Sequence, residues 1–154
     1  MGSKEAFVSL VTPLVQKLAG RDLGDAKALR AQLERELPLR DALVASVRAA
    51  AEEGMREGWL LPKENAGIKF GRVAKDVLGF SIDAVWMQGP GPKHRHPDGE
   101  IDLCFALDGE PRFDGNPQGW TVYGPDSTHV PTVRGGTMLI LYFLPGGKIE
   151  FVTG

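Results

Sequence analysis

The sequence predicts a mainly β protein with an α-helical N-terminal segment, in which about three helices pack on a small β-barrel of the jelly-roll type. Residues 1 to about 60 place apolar side chains at the three- and four-residue spacing of helices that bury one face. After Pro62 glycine and proline become frequent, and short β-rich runs are separated by turn signals at intervals of about eight to twelve residues. With 154 residues, 42% hydrophobic and 25% charged, the chain has material for one sizeable core. The expected organisation is a helical segment over 1–61 and a β-barrel over 62–154, packed as one unit, since no repeat, low-complexity stretch or disordered linker separates them.

The first helix follows from Phe7, Leu10, Val11, Leu14 and Leu18, with Ser3 as cap and Gly20 as stop, and Pro13 is expected to kink it or end its first half. The second runs from about Asp25 to Leu37 on the stripe Ala26, Leu29, Leu33 and Leu37, and Pro38 closes it. The third, from about Leu39 to Met55, presents Leu43, Val47, Ala50 and Ala51 before Gly54 and Gly58 interrupt the pattern. Strands are expected near Ile68–Val73, Phe80–Gln88, around His94–His96, Ile101–Leu107, Pro111–Phe113, Trp120–Tyr123, His129–Val133, Thr137–Leu144 and Ile149–Val152. Asp108-Gly109, Asp114-Gly115-Asn116-Pro117 and Pro145-Gly146-Gly147 punctuate them.

A net charge of −2 with no concentrated Lys/Arg run offers no footprint for nucleic acid or an anionic membrane. No apolar run reaches membrane-spanning length, and the N-terminus lacks a signal-peptide pattern, so the cytoplasm is the expected location. The single cysteine, Cys104, excludes an internal disulfide and reads as a small buried hydrophobe. Small-molecule or protein partners remain.

Chemistry concentrates in one stretch. Two of the three histidines stand as His94-Arg95-His96, a carboxylate follows at Glu100, and His129 comes roughly thirty residues later. On a strand His94 and His96 point the same way, and Pro97-Asp98-Gly99 reads as a tight turn that returns Glu100 beside them. Three imidazoles and a carboxylate suit one divalent transition metal (Fe, Mn, Ni, Cu or Zn) with positions left open for substrate or water.

These residues carry a resemblance. His94, His96, Glu100 and Gly109 resemble the first motif of the cupin superfamily, and Gly119, Pro125 and His129 its second. Two extra residues lie between Glu100 and Gly109, Ser127 stands where the superfamily usually has glycine, and His129 comes one position early. Over the whole length, Glu57-Gly58-Trp59, the run from Lys93 to Leu103, Arg112-Phe113-Asp114-Gly115 and Leu141-Tyr142-Phe143-Leu144-Pro145 resemble the 4-hydroxylaminobenzoate lyase family of bacterial nitroaromatic degradation. The resemblance implies a metal-dependent carbon–nitrogen lyase that converts 4-hydroxylaminobenzoate to 3,4-dihydroxybenzoate (protocatechuate) with release of ammonia. Two alternatives stay open: another metal-dependent cupin enzyme, a dioxygenase or β-eliminating lyase, or a non-enzymatic small-molecule-binding cupin.

Such a reaction needs acid–base groups, for which Glu100, Asp102, Tyr123 and Tyr142 are the candidates. A small aromatic carboxylate substrate calls for a cation and aromatic walls. Arg72, on one strand face with Ile68 and Phe70, is the first candidate, with Lys69 and Arg112 behind it, and Phe70, Trp86 and Trp120 are available for stacking. If Glu100 faces inward, so do Asp102 and Cys104, while Ile101, Leu103, Phe105 and Leu107 form an apolar face that helices or a second subunit must cover. A homodimer is therefore expected.

Overall fold

The computed structural model describes residues 3–152; Met1, Gly2, Thr153 and Gly154, at the ends of the two expected segments, lie outside the described residues. Helix α1 spans Lys4–Leu18, α2 Ala26–Glu36 and α3 Ala42–Glu57. Each starts on a side-chain cap: Ser3 accepts from the Ala6 amide, Asp25 from Ala28, and Asp41 from Leu43 and Val44. The cap at Asp41 is why α3 begins three residues later than the apolar pattern suggests. Pro13 does not end α1, which runs through it. Phe7 and Val11 before it, and Leu14, Val15 and Leu18 after it, are all buried, and that continuous face offsets the roughly 3 kcal/mol an interior proline costs. In α3, Gly54 makes room for an indole: a Cβ there would stand 2.5 Å from Cζ2 of Trp59.

Nine strands follow among the described residues: β1 Lys63–Asn65, β2 Ile68–Val77, β3 Phe80–Met87, β4 His94–His96, β5 Glu100–Phe113, β6 Gly119–Tyr123, β7 Ser127–His129, β8 Val133–Pro145 and β9 Glu150–Phe151. They form a six-stranded antiparallel sheet, β1-β2-β3-β8-β5-β6, and a three-stranded one, β7-β4-β9. Two expected breaks are not breaks. The runs 101–107 and 111–113 belong to one strand, β5, because Asp108-Gly109 is not a turn: it pairs with Thr137 and Gly136 of β8, with a register shift on either side. Gly109 has φ +67 and Gly135 φ +87, and a Cβ on Gly109 would lie 2.5 Å from the Gly135 carbonyl, so both strands need glycine where they bend. The strand expected over 129–133 is also displaced: β7 ends at His129, and β8 begins only at Val133.

Side-chain alternation splits the large sheet into two faces. Ile101, Leu103 and Phe105 of β5, with Leu139, Leu141 and Phe143 of β8, join Phe7, Val11, Leu14, Leu33 and Val47 in one core, so the helices cover the face whose exposure suggested a dimer. Cys104, Met138, Ile140, Tyr142 and Leu144 point the other way, into a second apolar cluster with Met87 and Phe113. Helix α2 is fastened to the edge strand β6 through Trp120. Its indole Nε1 donates to the Leu37 carbonyl (2.8 Å), its amide donates to Glu34 Oε1 (2.7 Å), and its carbonyl accepts from Arg30 Nε (2.7 Å). Trp120 is fully buried there, within the core shared with the helices. Trp120→Phe is expected to lower unfolding free energy by about 1–3 kcal/mol, because the Leu37 carbonyl loses its donor and a small void opens; denaturant titration measures it.

Candidate metal centre

The two sheets meet at four side chains. His94 and His96 leave β4 on one face, and cross-strand register sets His129 of β7 directly opposite His94. The large sheet supplies Glu100, the first residue of β5, after the Pro97-Asp98-Gly99 turn closes with the Gly99 amide donating to the His96 carbonyl (3.2 Å). Gly99 has φ +87, and a Cβ there would stand 2.7 Å from the Tyr123 carbonyl. One ligand atom from each of His94, His96, Glu100 and His129 lies within 4.8 Å of the others.

The contacts within this set ask for a cation. His94 Nε2 and His129 Nε2 are 3.1 Å apart, and Glu100 Oε1 lies 2.6 Å from His129 Nε2 and 3.2 Å from His96 Nε2. Both ring nitrogens of His96 and Oε2 of Glu100 are buried without a hydrogen-bond partner. Separations near 3 Å between donors suit a shared ion with bonds of about 2.0–2.2 Å. Three imidazoles and a carboxylate are a borderline donor set, as Fe, Mn, Ni, Cu and Zn prefer. Burial drives His94 down to about 4, keeping it neutral. At His129 burial is outweighed by hydrogen bonds to Asp114 and Glu100, which raise it to about 9. Glu100 likewise resists its burial through its hydrogen bond with His129 and the nearby His96 imidazole, and is held down to about 2.

Asp114, assigned from sequence only to a turn, stands behind His129. Its Oδ2 is 2.8 Å from His129 Nδ1 and accepts from the Tyr123 hydroxyl (2.6 Å), while Oδ1 accepts from the Thr132 amide (2.8 Å). A carboxylate so fixed orients the imidazole and raises its basicity. The residue has φ +49, a conformation that Asp tolerates better than most, and only tertiary contact shows its partner. Tyr123 stacks on His129 with ring centroids 4.2 Å apart and is committed to Asp114. Asp102 is buried beneath Glu100 with both oxygens unpartnered, and burial, then the charge of Glu100, pushes its carboxyl well above the usual carboxylate range.

A cavity of about 690 Å³ opens onto His94 and is walled by Ile68, Phe70, Val85, Met87, Tyr142 and Leu144. Arg72 also reaches it but is bound to Asp83 (Nε to Oδ1, 2.7 Å) and to the Gly147 carbonyl (3.2 Å). Tyr142 is 5% exposed, and its hydroxyl meets only Met87 Sδ, at 3.9 Å. Trp86 points to the other face of β3, where Lys69 stacks on it at 4.8 Å, so both sequence candidates stand away from the cavity. Arg112 lies in a separate hollow beside Asp114 and donates to the Gly115 carbonyl.

The jelly-roll sheets and the His-x-His, Glu and His ligand set define a cupin with one candidate metal centre. The profile of the PnbB family, 4-hydroxylaminobenzoate lyase, matches residues 9–151, and the chain belongs to that family. Relatives named 4-hydroxylaminobenzoate lyase include one from Nocardioides sp. (strain LMS-CY), 33% identical over 68% of this chain and 70% of that protein. Another, from Pseudomonas putida, is 30% identical over 64% of this chain and 68% of that protein. Solved structures with similar folds include an RmlC-like cupin protein from Ralstonia eutropha JMP134, at 14% identity over 56% of this chain and 60% of that one, TM-score 0.43. The DMSP lyase DddQ from Ruegeria pomeroyi DSS-3 is similar at 17% identity over 97% and 98%, TM-score 0.45.

Asp114→Asn is expected to weaken metal affinity about 10- to 100-fold while leaving the fold intact, as read by competition with a chromophoric chelator alongside circular dichroism. The sign of the pH dependence follows from His129. Its raised pKa leaves it protonated at neutral pH without metal, so binding must expel that proton. Affinity should therefore rise about tenfold per unit between about pH 6 and 8, and a flat profile would contradict the protonated bridge.

Proposed function

We propose that this protein is a metal-dependent lyase that converts 4-hydroxylaminobenzoate, with addition of one water, to 3,4-dihydroxybenzoate and ammonia. The supporting observation is a four-ligand cluster, within a chain of this family, that meets an apolar cavity through His94, with a tyrosine hydroxyl in its wall. In this reading His94, His96, Glu100 and His129 hold the ion, and Asp114 and Tyr123 keep His129 in place. When bound, the metal supplies a Lewis acid that polarises the N–O bond of the substrate.

The chain's own residues do the rest. Phe70, Val85, Met87 and Leu144 clamp the ring and exclude bulk water, so that water reaches the ring only where the cavity admits it. Burial raises the Tyr142 phenol well above its ordinary range, so it is a neutral donor at working pH. With no acceptor nearer than the Met87 sulfur, it is free to give its proton to the departing hydroxyl oxygen. Asp102, without access to the cavity, acts only through Glu100.

The metal-reconstituted protein is expected to release one ammonia and one 3,4-dihydroxybenzoate per 4-hydroxylaminobenzoate consumed, and a chelator should abolish this. No ammonia with any of Fe, Mn, Ni, Cu or Zn would sink the proposal, and oxygen uptake in its place would mark a dioxygenase. Tyr142→Phe should lower kcat by about a hundredfold or more with metal content unchanged.

A further inference from the structure

A ring-bound carboxylate that enters an apolar cavity loses hydration and needs a cation in return. Three cationic side chains line this one: Lys63, Arg72 and Lys93. Arg72 is already neutralised by Asp83, which lines the same wall and also accepts from the Ser81 hydroxyl (2.8 Å), so the pair presents no net charge. Lys63 and Lys93 form no ion pair among the described residues.

Register and neighbouring contacts tie both to the cavity wall. Lys63 of β1 is directly opposite Phe70 of β2, and cross-strand partners project from the same face, the face on which Phe70 and Arg72 reach the cavity. Lys93 directly precedes His94, and its carbonyl accepts from the Val152 amide (3.0 Å), which ties it to the chain after β9. The loop before it packs on β2: a Cβ at Gly91 would lie 3.5 Å from Ile68 Cδ1. Two exposed lysines thus line the same apolar cavity as His94.

We infer that Lys63 and Lys93 form the carboxylate-recognition end of the cavity and thereby orient an aromatic carboxylate with its para nitrogen toward the metal ligands. This rests on the lyase reading for the identity of the substrate and adds the residues that select it. Being exposed, each lysine contributes a modest share, and selectivity comes from the pair.

The test is binding without turnover. Isothermal titration of the metal-loaded protein compares 4-aminobenzoate, which has no N–O bond to break, with aniline, which lacks the carboxylate. Wild type is expected to prefer 4-aminobenzoate by about tenfold or more. The double variant Lys63→Met, Lys93→Met should lose that preference, each single variant part of it, with aniline binding within about twofold of wild type. Lys69→Met, which alters the charge on the far face, should behave as wild type. Unchanged 4-aminobenzoate affinity in the double variant, or no preference in wild type, would overturn the inference. Lysine-dependent binding without ammonia release would uphold the carboxylate site and sink the lyase reading. Ammonia release by the double variant at unchanged KM would do the reverse.

Discussion

The site depends on one short connection, the three-residue turn between His96 and Glu100 that carries the chain from the small sheet to the large one. It presses a buried carboxylate against three imidazoles from the other sheet, and the packing of Gly99 against the Tyr123 carbonyl leaves that turn no freedom to relax. A carboxylate is costly to bury unless its charge is compensated, and here one oxygen and a whole imidazole remain without hydrogen-bond partners. A divalent cation would take one nitrogen of that imidazole together with the carboxylate and so compensate the buried charge. The sheets are thus joined at the candidate metal centre.

The large sheet serves two solvents. Along β5 and β8 the odd-numbered apolar residues dissolve in the helical layer, while Glu100, Asp102, Cys104 and Tyr142 face inward. The helices are therefore more than an appendage: without α1–α3 one face of the central strands would be bare, and the inner face could not be committed to a cavity. Trp120 fastens this cover to the edge strand with three hydrogen bonds, which also protects β6 from pairing with another chain. Within the cavity, the Arg72–Asp83 pair neutralises its own wall and leaves Lys63 and Lys93 as the lining cations without an ion pair among the described residues.

Residues legible from sequence were those whose relation is local. His94 and His96 share a face because strands have period two, and Glu100 follows through a turn written in Pro97-Asp98-Gly99. The inward set of Glu100, Asp102 and Cys104 could be read off the same period. Asp114 could not, since its partners His129, Tyr123 and Thr132 come from later segments and its sequence context says only that the chain turns. Arg72 and Trp86 show the converse: each has the right chemistry for a substrate contact, yet one is occupied by Asp83 and the other faces away. The irregular stretch of β5 around Asp108-Gly109 reads in sequence like a hairpin turn because both place a glycine at positive φ.

The sequence by itself determined the helical leader, the β-rich remainder and the candidate ligand cluster, because helical and strand periodicity and ligand spacing are properties of neighbouring residues. Tertiary structure alone decided which charges are free and which are spent, which aromatic side chains meet the cavity, and which carboxylate holds His129. Those depend on strand register and on contacts between segments tens of residues apart, where a side chain's chemistry is set by what it touches and not by its type.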